Sequence, residues 1–195
     1  MNHNLTEIVC IVDRSGSMES VRTDAMGGFN AFLASQKSLP SEARLTLVLF
    51  DHEYNLVHDG LSLQQVSPLT ETTYVPRGRT ALFDAIGRTI DDVGRRLAAT
   101  TEAERAGKII VAILTDGLEN ASTKYSQVRV ADMISRQRET YAWEFVFLAA
   151  NQDAILAAEQ LSIDAQDAVA FPASPEGVRA AFACIDERVA GSRGR

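Results

Sequence analysis

The sequence predicts a doubly wound α/β fold, with a Rossmann-like, mostly parallel six-stranded sheet and helices on both of its faces. Three observations lead to this prediction. Short apolar runs recur along the chain, segments of helical periodicity separate them, and one more polar stretch alternates as an edge strand does. Strands buried on both faces lack polar alternation because neither of their surfaces contacts water.

Four of the predicted strands are nearly continuous runs of Val, Ile, Leu, Phe and other apolar residues. These runs are residues 8–12, 45–50, 109–114 and 145–149. Residues 55–63 are more polar and alternate, which is typical of a strand at the edge of a sheet. Residues 168–171 form a weaker sixth candidate.

Helical patterns lie between these runs, with apolar residues at steps of three and four. The clearest stripe spans residues 82–97, and weaker or shorter ones lie at 26–33, 130–134, 155–161 and 178–189. The last helix has a strong start signal, because Ser174 can cap it and Pro175 fits its first turn. Residues 191–195, GSRGR, are expected to form a frayed tail. One domain is predicted for residues 1–195, with its core at about 5–190.

The composition limits the partners that this protein is expected to have. The chain has 195 residues, of which 46% are hydrophobic, and its net charge is −7. An acidic surface repels phosphate, so nucleic acid is not expected as a partner, whereas cation binding is favoured. No apolar stretch approaches the 18 or more residues of a membrane span, so no membrane association is expected.

The cysteines and the N-terminal segment predict a cytoplasmic location. Cys10 and Cys184 lie in apolar or amphipathic patterns and read as small buried hydrophobes, without a disulfide framework. The first ten residues lack the basic and long apolar regions of a signal peptide. A monomer is the default expectation for the oligomeric state.

Acids and hydroxyls follow two of the predicted strands. Asp13, Ser15 and Ser17 come directly after the first strand in the segment DRSGSM, and Asp116 follows the 109–114 strand in the segment TDG. Thr80 lies where a loop becomes a helix. In open α/β sheets, ligands bind beyond the carboxyl ends of the strands at a switch point, so these side chains are expected to converge there. Taken singly, each segment also fits a turn or a helix cap.

Two carboxylates and three hydroxyls form an all-oxygen donor set without His or Cys. Such a set is typical of hard cations, and Mg²⁺ prefers about six oxygen ligands in octahedral geometry. The two carboxylates neutralise a divalent ion, and the hydroxyls position it without adding charge. The residues therefore predict a Mg²⁺ site, with Mn²⁺ and Ca²⁺ as alternatives.

The pattern Asp13-x-Ser15-x-Ser17, with Thr80 and then Asp116-Gly117, resembles the metal-ion-dependent adhesion site (MIDAS) of von Willebrand factor A (VWA) domains. The resemblance covers about residues 5–190 and suggests a single-domain bacterial-type member. It implies a strand order of 3-2-1-4-5-6 with the third strand antiparallel. It also implies that Ser15, Ser17 and Thr80 are metal ligands, that Asp13 and Asp116 complete the shell, and that an acidic side chain of a protein partner takes the last position.

One departure from the family pattern is Arg79, which stands in Gly78-Arg79-Thr80 where many members have Gly-Gly-Thr. Its guanidinium either helps to hold an acidic ligand or points to solvent. Asp84 is interpreted as a favourable acid in the first turn of a helix and not as a ligand. Turn formation is the alternative for the residues that follow Asp116, and helix capping is the alternative for Asn151 and Asp153. The candidates for the rim of the site are Arg79, Gly117, Glu119, Asn120 and Asn151.

An enzyme is the alternative to a binding module. Asp13 could act as the nucleophile of a Mg²⁺-dependent phosphoaspartyl phosphatase or of a receiver-like phosphotransfer protein. Such phosphatases have a second acid two residues later, where this chain has Ser15, and they need a lysine that Lys108, before its strand, cannot supply at the carboxyl edge. Neither GxSxG nor GxxxxGK[ST] occurs. The sequence therefore favours a non-catalytic module whose bound cation grips an Asp or Glu carboxylate of a protein partner.

Overall fold

The computed structural model describes residues 1–150 and 154–194, and the strands in these ranges form one six-stranded sheet. Its strand order is β3-β2-β1-β4-β5-β6; β3 pairs antiparallel with β2, and the other pairs are parallel. The predicted fold class, the strand order and the edge position of the antiparallel strand are confirmed. The strands are β1 (Asn2–Asp13), β2 (Glu42–Phe50), β3 (Tyr54–Ser62), β4 (Ala106–Thr115), β5 (Glu144–Ala150) and β6 (Ala168–Phe171).

Five α-helices connect or flank these strands in the described ranges. They are α1 (Arg22–Ser38), α2 (Leu82–Ala99), α3 (Gln127–Tyr141), α4 (Ala154–Glu159) and α5 (Pro175–Arg193), with short 3₁₀ helices at Gly16–Val21, Leu63–Gln65 and Ala165–Asp167. The start of α5 follows the sequence signal, because Ser174 Oγ accepts a hydrogen bond from the Gly177 N–H at 3.1 Å. None of the described helices is long and apolar enough to cross a membrane.

Two hydrophobic cores lie on opposite faces of the sheet, and β1 contributes to both. Ile8, Cys10 and Val12 pack in the core that α1 and α5 cover. Val9 and Ile11 pack in the core that α2 and α3 cover. Because successive residues of a strand point to opposite faces, a strand covered on both sides is apolar at most of its positions. This explains the continuous apolar runs in the sequence.

The strand β1 begins earlier than its apolar run predicts. It starts at Asn2 and includes Glu7, which is fully buried. A charged residue inside a strand hides the strand signal in the sequence. The charge is compensated in the fold by Arg96 of α2, whose Nη2 lies 2.9 Å from Glu7 Oε1.

The prediction of a frayed tail at residues 191–195 is wrong for residues 191–193. The helix α5 continues to Arg193, which is 8% exposed. Arg193 Nη1 donates to the backbone oxygen and to Oε1 of Gln36, both at 2.7 Å. Ser192 Oγ donates to the carboxylate of Glu144. Polar residues are therefore ordered here by partners from α1 and β5, which a local pattern cannot reveal, and Arg195 lies outside the described residues.

Candidate metal centre

The candidate site lies at the carboxyl edge of the sheet, where β1 and β4 end side by side. Val12 pairs with Leu114 in the parallel register of these strands, so Asp13 and Thr115 end them at the same level. The chain leaves β1 towards one face of the sheet and β4 towards the other, since α1 and α3 cover opposite faces. This is the switch point at which open α/β sheets bind ligands.

Asp13 is the most deeply buried member of the site, with no exposed surface. Its Oδ1 accepts a hydrogen bond from the Ser15 N–H at 2.6 Å, and its Oδ2 accepts one from Thr115 Oγ1 at 2.7 Å. Its backbone oxygen accepts a bond from the buried Tyr74 hydroxyl at 2.6 Å. The bonds from Ser15 and Thr115 hold the carboxylate in one orientation, and all three donors are uncharged.

The two serines of DRSGSM lie between the two carboxylates. Ser15 Oγ and Ser17 Oγ are 3.1 Å apart, and Ser17 Oγ donates to Asp116 Oδ1 at 2.7 Å. The segment folds as a 3₁₀ helix, Gly16–Val21, which the fully buried side chain of Met18 anchors in the core. The alternation of acid and hydroxyl after β1 therefore brings three polar side chains to the same place.

Thr80 joins this cluster from the loop before α2, and its side chain is 3% exposed. A Cβ built on Gly117 would lie 3.4 Å from Thr80 Oγ1 and 3.8 Å from Ser17 Oγ, which places both hydroxyls beside Gly117. Asn120 ties the two loops together, because its Oδ1 accepts from Thr80 N and its own N–H donates to Thr80 O, both at 3.0 Å. The structure thus brings together the five residues that the sequence predicts as ligands: Asp13, Ser15, Ser17, Thr80 and Asp116.

Glycine is required two residues before Thr80. Gly78 has φ of +66°, a left-handed conformation that favours glycine, and a Cβ there would lie 2.1 Å from His52 Nδ1. Its backbone oxygen accepts a hydrogen bond from the Gly16 N–H at 3.2 Å. This turn therefore sets the loop that carries Thr80 against the DRSGSM segment.

The two carboxylates lie in an environment that disfavours their charge. Burial raises the pKa of Asp13 to about 6, and the nearby Asp116 carboxylate adds to that rise. Burial also raises the pKa of Asp116. A bound cation would relieve both effects, because it supplies the positive charge that their protein partners lack.

The donor set fits a hard divalent cation. Within residues 1–150 and 154–194, no group of three or more His, Cys, Asp and Glu side chains is placed to hold a metal ion. A cation at this edge would therefore combine the two carboxylates with neutral hydroxyls. Such oxygen ligands suit Mg²⁺, Mn²⁺ or Ca²⁺ better than ions that prefer nitrogen or sulfur.

The candidates for the rim differ in their surroundings. Gly117 lies against the hydroxyls, while Arg79 is exposed and forms no ion pair within the described residues. Glu119 Oε2 accepts from the Phe83 N–H at 3.0 Å and its Oε1 from Ala121 and Ser122, so it holds the start of α2. Asn120 and Glu119 thus make contacts that shape the loop, in agreement with turn formation, the alternative to a role at the rim. Asn151 and Asp153 lie outside the described residues.

Asp84 lies in the first turn of α2, as interpreted from the sequence. Its carboxylate accepts hydrogen bonds from three successive N–H groups, those of Thr123, Lys124 and Tyr125, at 2.8–3.0 Å. Together with Glu119, it shapes the loop between β4 and α3.

Sequence reasoning missed two residues that orient Asp13. Thr115 was part of the TDG segment, but nothing local indicated that its hydroxyl donates to Asp13. Tyr74 lies in an irregular loop and is fully buried. An aromatic residue directly after the polar stretch at residues 70–73 was the signal that it packs inward.

Solved structures of other proteins share this fold at low sequence identity. Proximal thread matrix protein 1 from the mussel byssus has a TM-score of 0.67 at 14% identity, covering 95% of this chain and 46% of that one. The vWF domain of the type V pili tip protein Mfa5 from Porphyromonas gingivalis has a TM-score of 0.67 at 13% identity, covering 97% and 96%. Manganese-loaded TRAP protein of Plasmodium vivax has a TM-score of 0.57 at 20% identity, covering 75% and 57%.

A further structure of the mussel protein has a zinc-occupied MIDAS motif, with a TM-score of 0.64 at 12% identity over 94% of this chain and 48% of that one. No protein-family model matches the sequence, and no curated protein matches it either.

The strand order and the switch-point cluster define a Rossmann-like α/β domain with a polar site at its carboxyl edge. More specifically, the chain has the VWA fold, as the sequence resemblance predicted. It spans about half the length of the mussel protein, at 46%.

Proposed function

We propose that this protein is a non-catalytic, metal-dependent binding module. A divalent cation, with Mg²⁺ as the first candidate and Mn²⁺ or Ca²⁺ as alternatives, binds at the carboxyl edge of the sheet. It then grips an Asp or Glu carboxylate of a protein partner. The observation that carries this proposal is the convergence of the five predicted ligands: Asp13, Ser15, Ser17, Thr80 and Asp116.

The exposure of the cluster supports a site with one open side. Asp13, Ser15 and Thr80 are buried, whereas Ser17, on the open side, is exposed. Leu118, directly after Gly117, is 69% exposed. Five oxygen donors leave about one octahedral position for an outside ligand. When bound, the cation would supply a directional positive charge that attracts a carboxylate.

The enzyme alternative has less support. A nucleophilic Asp13 must reach the phosphorus atom of a substrate, but its side chain has no exposed surface. Lys108 lies in the first part of β4, at the opposite edge, where its Nζ donates to the backbone oxygen of Ser192. Lys108 therefore cannot stabilise a transferring phosphoryl group at the cluster.

The structural neighbours are compatible with this proposal. They include a matrix protein of the mussel byssus and a tip protein of bacterial pili, and two structures contain zinc or manganese. Because their sequence identity to this chain is low, these structures support the fold and are consistent with a divalent ion. They do not favour a particular metal or partner.

We also infer a cytoplasmic location and no binding to nucleic acid. Both cysteines are free, and burial raises the pKa of the Cys10 thiol to about 12, which makes it inert. The net charge of −7 disfavours a phosphate-binding surface. Cell fractionation would test the location, and gel filtration would test the default expectation of a monomer.

Two measurements test the proposed function. Titration calorimetry should detect Mg²⁺ or Mn²⁺ binding that Asp13→Ala abolishes and that Asp132→Ala, a change at an exposed residue of α3, preserves. Affinity capture should then retain a protein partner with Mg²⁺ and release it with chelator. Partner binding that survives both chelator and Asp13→Ala would overturn the proposal, as would metal-dependent phosphatase activity that is lost in Asp13→Asn.

A further inference from the structure

A second polar cluster lies beside the metal centre and surrounds Arg14, the residue between Asp13 and Ser15 in chain order. Its side chain is 9% exposed, and its Nε lies 3.1 Å from Asp51 Oδ2 at the end of β2. The N–H of Nε is not aimed at that oxygen, so the contact is an ion pair without a hydrogen bond. Asp51 itself has no exposed surface.

The terminal nitrogens of Arg14 have no hydrogen-bond partner among the described residues. Among the described residues, Arg14 Nε is fully buried without a hydrogen bond, whereas Nη1 and Nη2 are not fully buried. The two terminal nitrogens therefore reach solvent. They do so in a cleft of about 490 Å³, which is lined by Arg14, Glu53, Tyr54, Asn55, Val75 and Arg77. A side chain that is nine-tenths buried therefore presents unused donors to a cleft.

Arg77 lines the same cleft and is held in place from two sides. Its backbone N–H donates to Arg14 O at 2.9 Å, and its Nε donates to Asp51 Oδ2 at 2.9 Å. The remaining part of its guanidinium contacts the carboxylate of Glu53, which is 59% exposed. Asp51 thus fixes both arginines, whereas Glu53 contacts one of them from the solvent side.

The charges of this cluster make Glu53 replaceable. Two arginines face the two carboxylates of Asp51 and Glu53, so the cluster is neutral while Glu53 is present. His52 Nδ1 also faces Asp51 Oδ1, at 3.2 Å. An exposed ion pair such as that of Arg77 and Glu53 contributes little stability, so Glu53 can turn away and leave one positive charge in the cleft.

We propose that Arg14 and Arg77 form a carboxylate subsite that takes a second acidic side chain of the partner whose first carboxylate binds the metal. This inference rests on the proposed function. Glu53 contacts Arg77 when no partner is bound, and the acidic side chain of the partner displaces it. The planar fork of a guanidinium matches a carboxylate, and hydrogen bonds between charged groups are stronger than neutral ones.

The position of the subsite suits a second residue of the same ligand. The side chain of Asp13 belongs to the metal centre, and Arg14 is the next residue along the chain at the carboxyl edge. Val75 is 41% exposed and Tyr54 half-buried at the cleft, so they offer apolar contact to the stem of a glutamate. Without Glu53, the cleft has a net charge of about +1, which matches a carboxylate better than a phosphate dianion.

Short peptides of Gly and Ser that carry one glutamate, or two glutamates at increasing spacing, provide the test. With Mg²⁺ present, the two-glutamate peptide with the matching spacing should bind about tenfold more tightly than the single-acid peptide. Arg14→Gln, or Arg77→Gln if the first variant does not fold, should remove that gain and leave the affinity for the single-acid peptide unchanged. Glu53→Gln should increase the gain about threefold, and Arg95→Gln, at a 75% exposed side chain of α2, should have no effect.

The outcomes separate this inference from the proposed function. If the single-acid peptide binds with Mg²⁺ but no spacing of a second glutamate improves the affinity, the subsite is overturned and the metal-dependent module stands. If the peptides with two glutamates bind equally well with chelator, through Arg14, the metal role fails and so does a subsite that depends on it. An unchanged gain in Arg14→Gln would also overturn the subsite.

Discussion

Two buried acids on the same strand of this protein are treated in opposite ways. Glu7 and Asp13 both lie in β1, both lack exposed surface, and their even spacing places them on the same face of the sheet. Glu7, near the amino end, contacts Arg96 through both of its oxygens, at 2.9 and 3.2 Å. Asp13, at the carboxyl end, accepts hydrogen bonds from neutral groups only.

This difference separates a charge that the protein compensates from one that it leaves available to a ligand. The charge of Glu7 is compensated within the protein, and Arg96 is held in turn by Asp59, whose Oδ1 lies 2.8 Å from its Nε. The charge of Asp13 is left without a cationic partner in the described chain, and its neighbour Asp116 carries the same sign. An acid that is buried but not neutralised indicates a site for a cation from outside.

The largest effect is expected at the amino end, from Arg96→Met. Removing the guanidinium leaves the buried Glu7 carboxylate without compensation, which should lower the free energy of unfolding by about 3–5 kcal/mol. Urea denaturation monitored by circular dichroism measures this change. A loss below about 1 kcal/mol would show that water reaches Glu7, because half-exposed pairs contribute only that much.

An increase in the free energy of unfolding is expected for Asp13→Asn in the metal-free protein at pH 7, opposite to the decrease for Arg96→Met. Burial raises the pKa of Asp13 from 3.8 to about 6. The folded protein therefore gains stability from protonation below pH 3.8 and loses it as the pH rises through about 6. Asn lacks this titration, so the variant should be more stable than the parent at pH 7 by at most about 3 kcal/mol.

Glu7→Gln is the matched control for that variant. It removes the same kind of charge from the same face of β1, but it leaves Arg96 without its buried partner. It should therefore destabilise the protein at pH 7. The comparison fails if the two substitutions change the stability in the same direction, or if the effect of Asp13→Asn does not diminish between pH 6 and pH 4.

Metal addition should stabilise the parent protein and leave Asp13→Asn unaffected. The core is large enough to fold without the ion, so the metal acts by mass action and adds about 2.7 kcal/mol at a hundredfold excess over its dissociation constant. Thermal melting with Mg²⁺, Mn²⁺ or chelator measures the effect. A melting temperature that does not respond to metal would contradict the site, and complete unfolding in chelator would contradict a core that forms independently.

The smallest effect is expected from Thr115→Val. This change removes the hydroxyl that donates to Asp13 Oδ2 at 2.7 Å and preserves the shape of the buried side chain. Without metal at pH 7, the stability should fall by about 1 kcal/mol. Because the lost bond stabilises the charged carboxylate, the pKa of Asp13 should also rise, which NMR titration of its side-chain carbon would detect.

The fold of this protein was accessible from the sequence because its strands are covered on both faces. Apolar runs such as residues 109–114 appear only when no face of a strand meets water, and the edge strand β3 was distinguished by its polar alternation. The strand order came from the family resemblance and not from periodicity, since pairing partners leave no local pattern. The tail prediction failed for the same reason, because Arg193 is buried by a contact with Gln36, which is distant in sequence.

The sequence by itself also provided the candidates for the metal site. Acids and hydroxyls that follow strands at residues 13–17 and 116 stand out because the segments before them are entirely apolar. Their order along the chain and the chemistry of their oxygens were sufficient to predict a hard cation.

Only the tertiary structure decided which charges remain uncompensated. Arg96 reaches Glu7 across 89 positions of sequence, and Thr115 reaches Asp13 across 102. Arg14 turns towards Asp51 and an open cleft. Electrostatic compensation depends on distances of a few ångströms and on burial, and both are properties of the packed chain. A sequence lists the charges of a protein, but the fold determines which of them are left for a ligand.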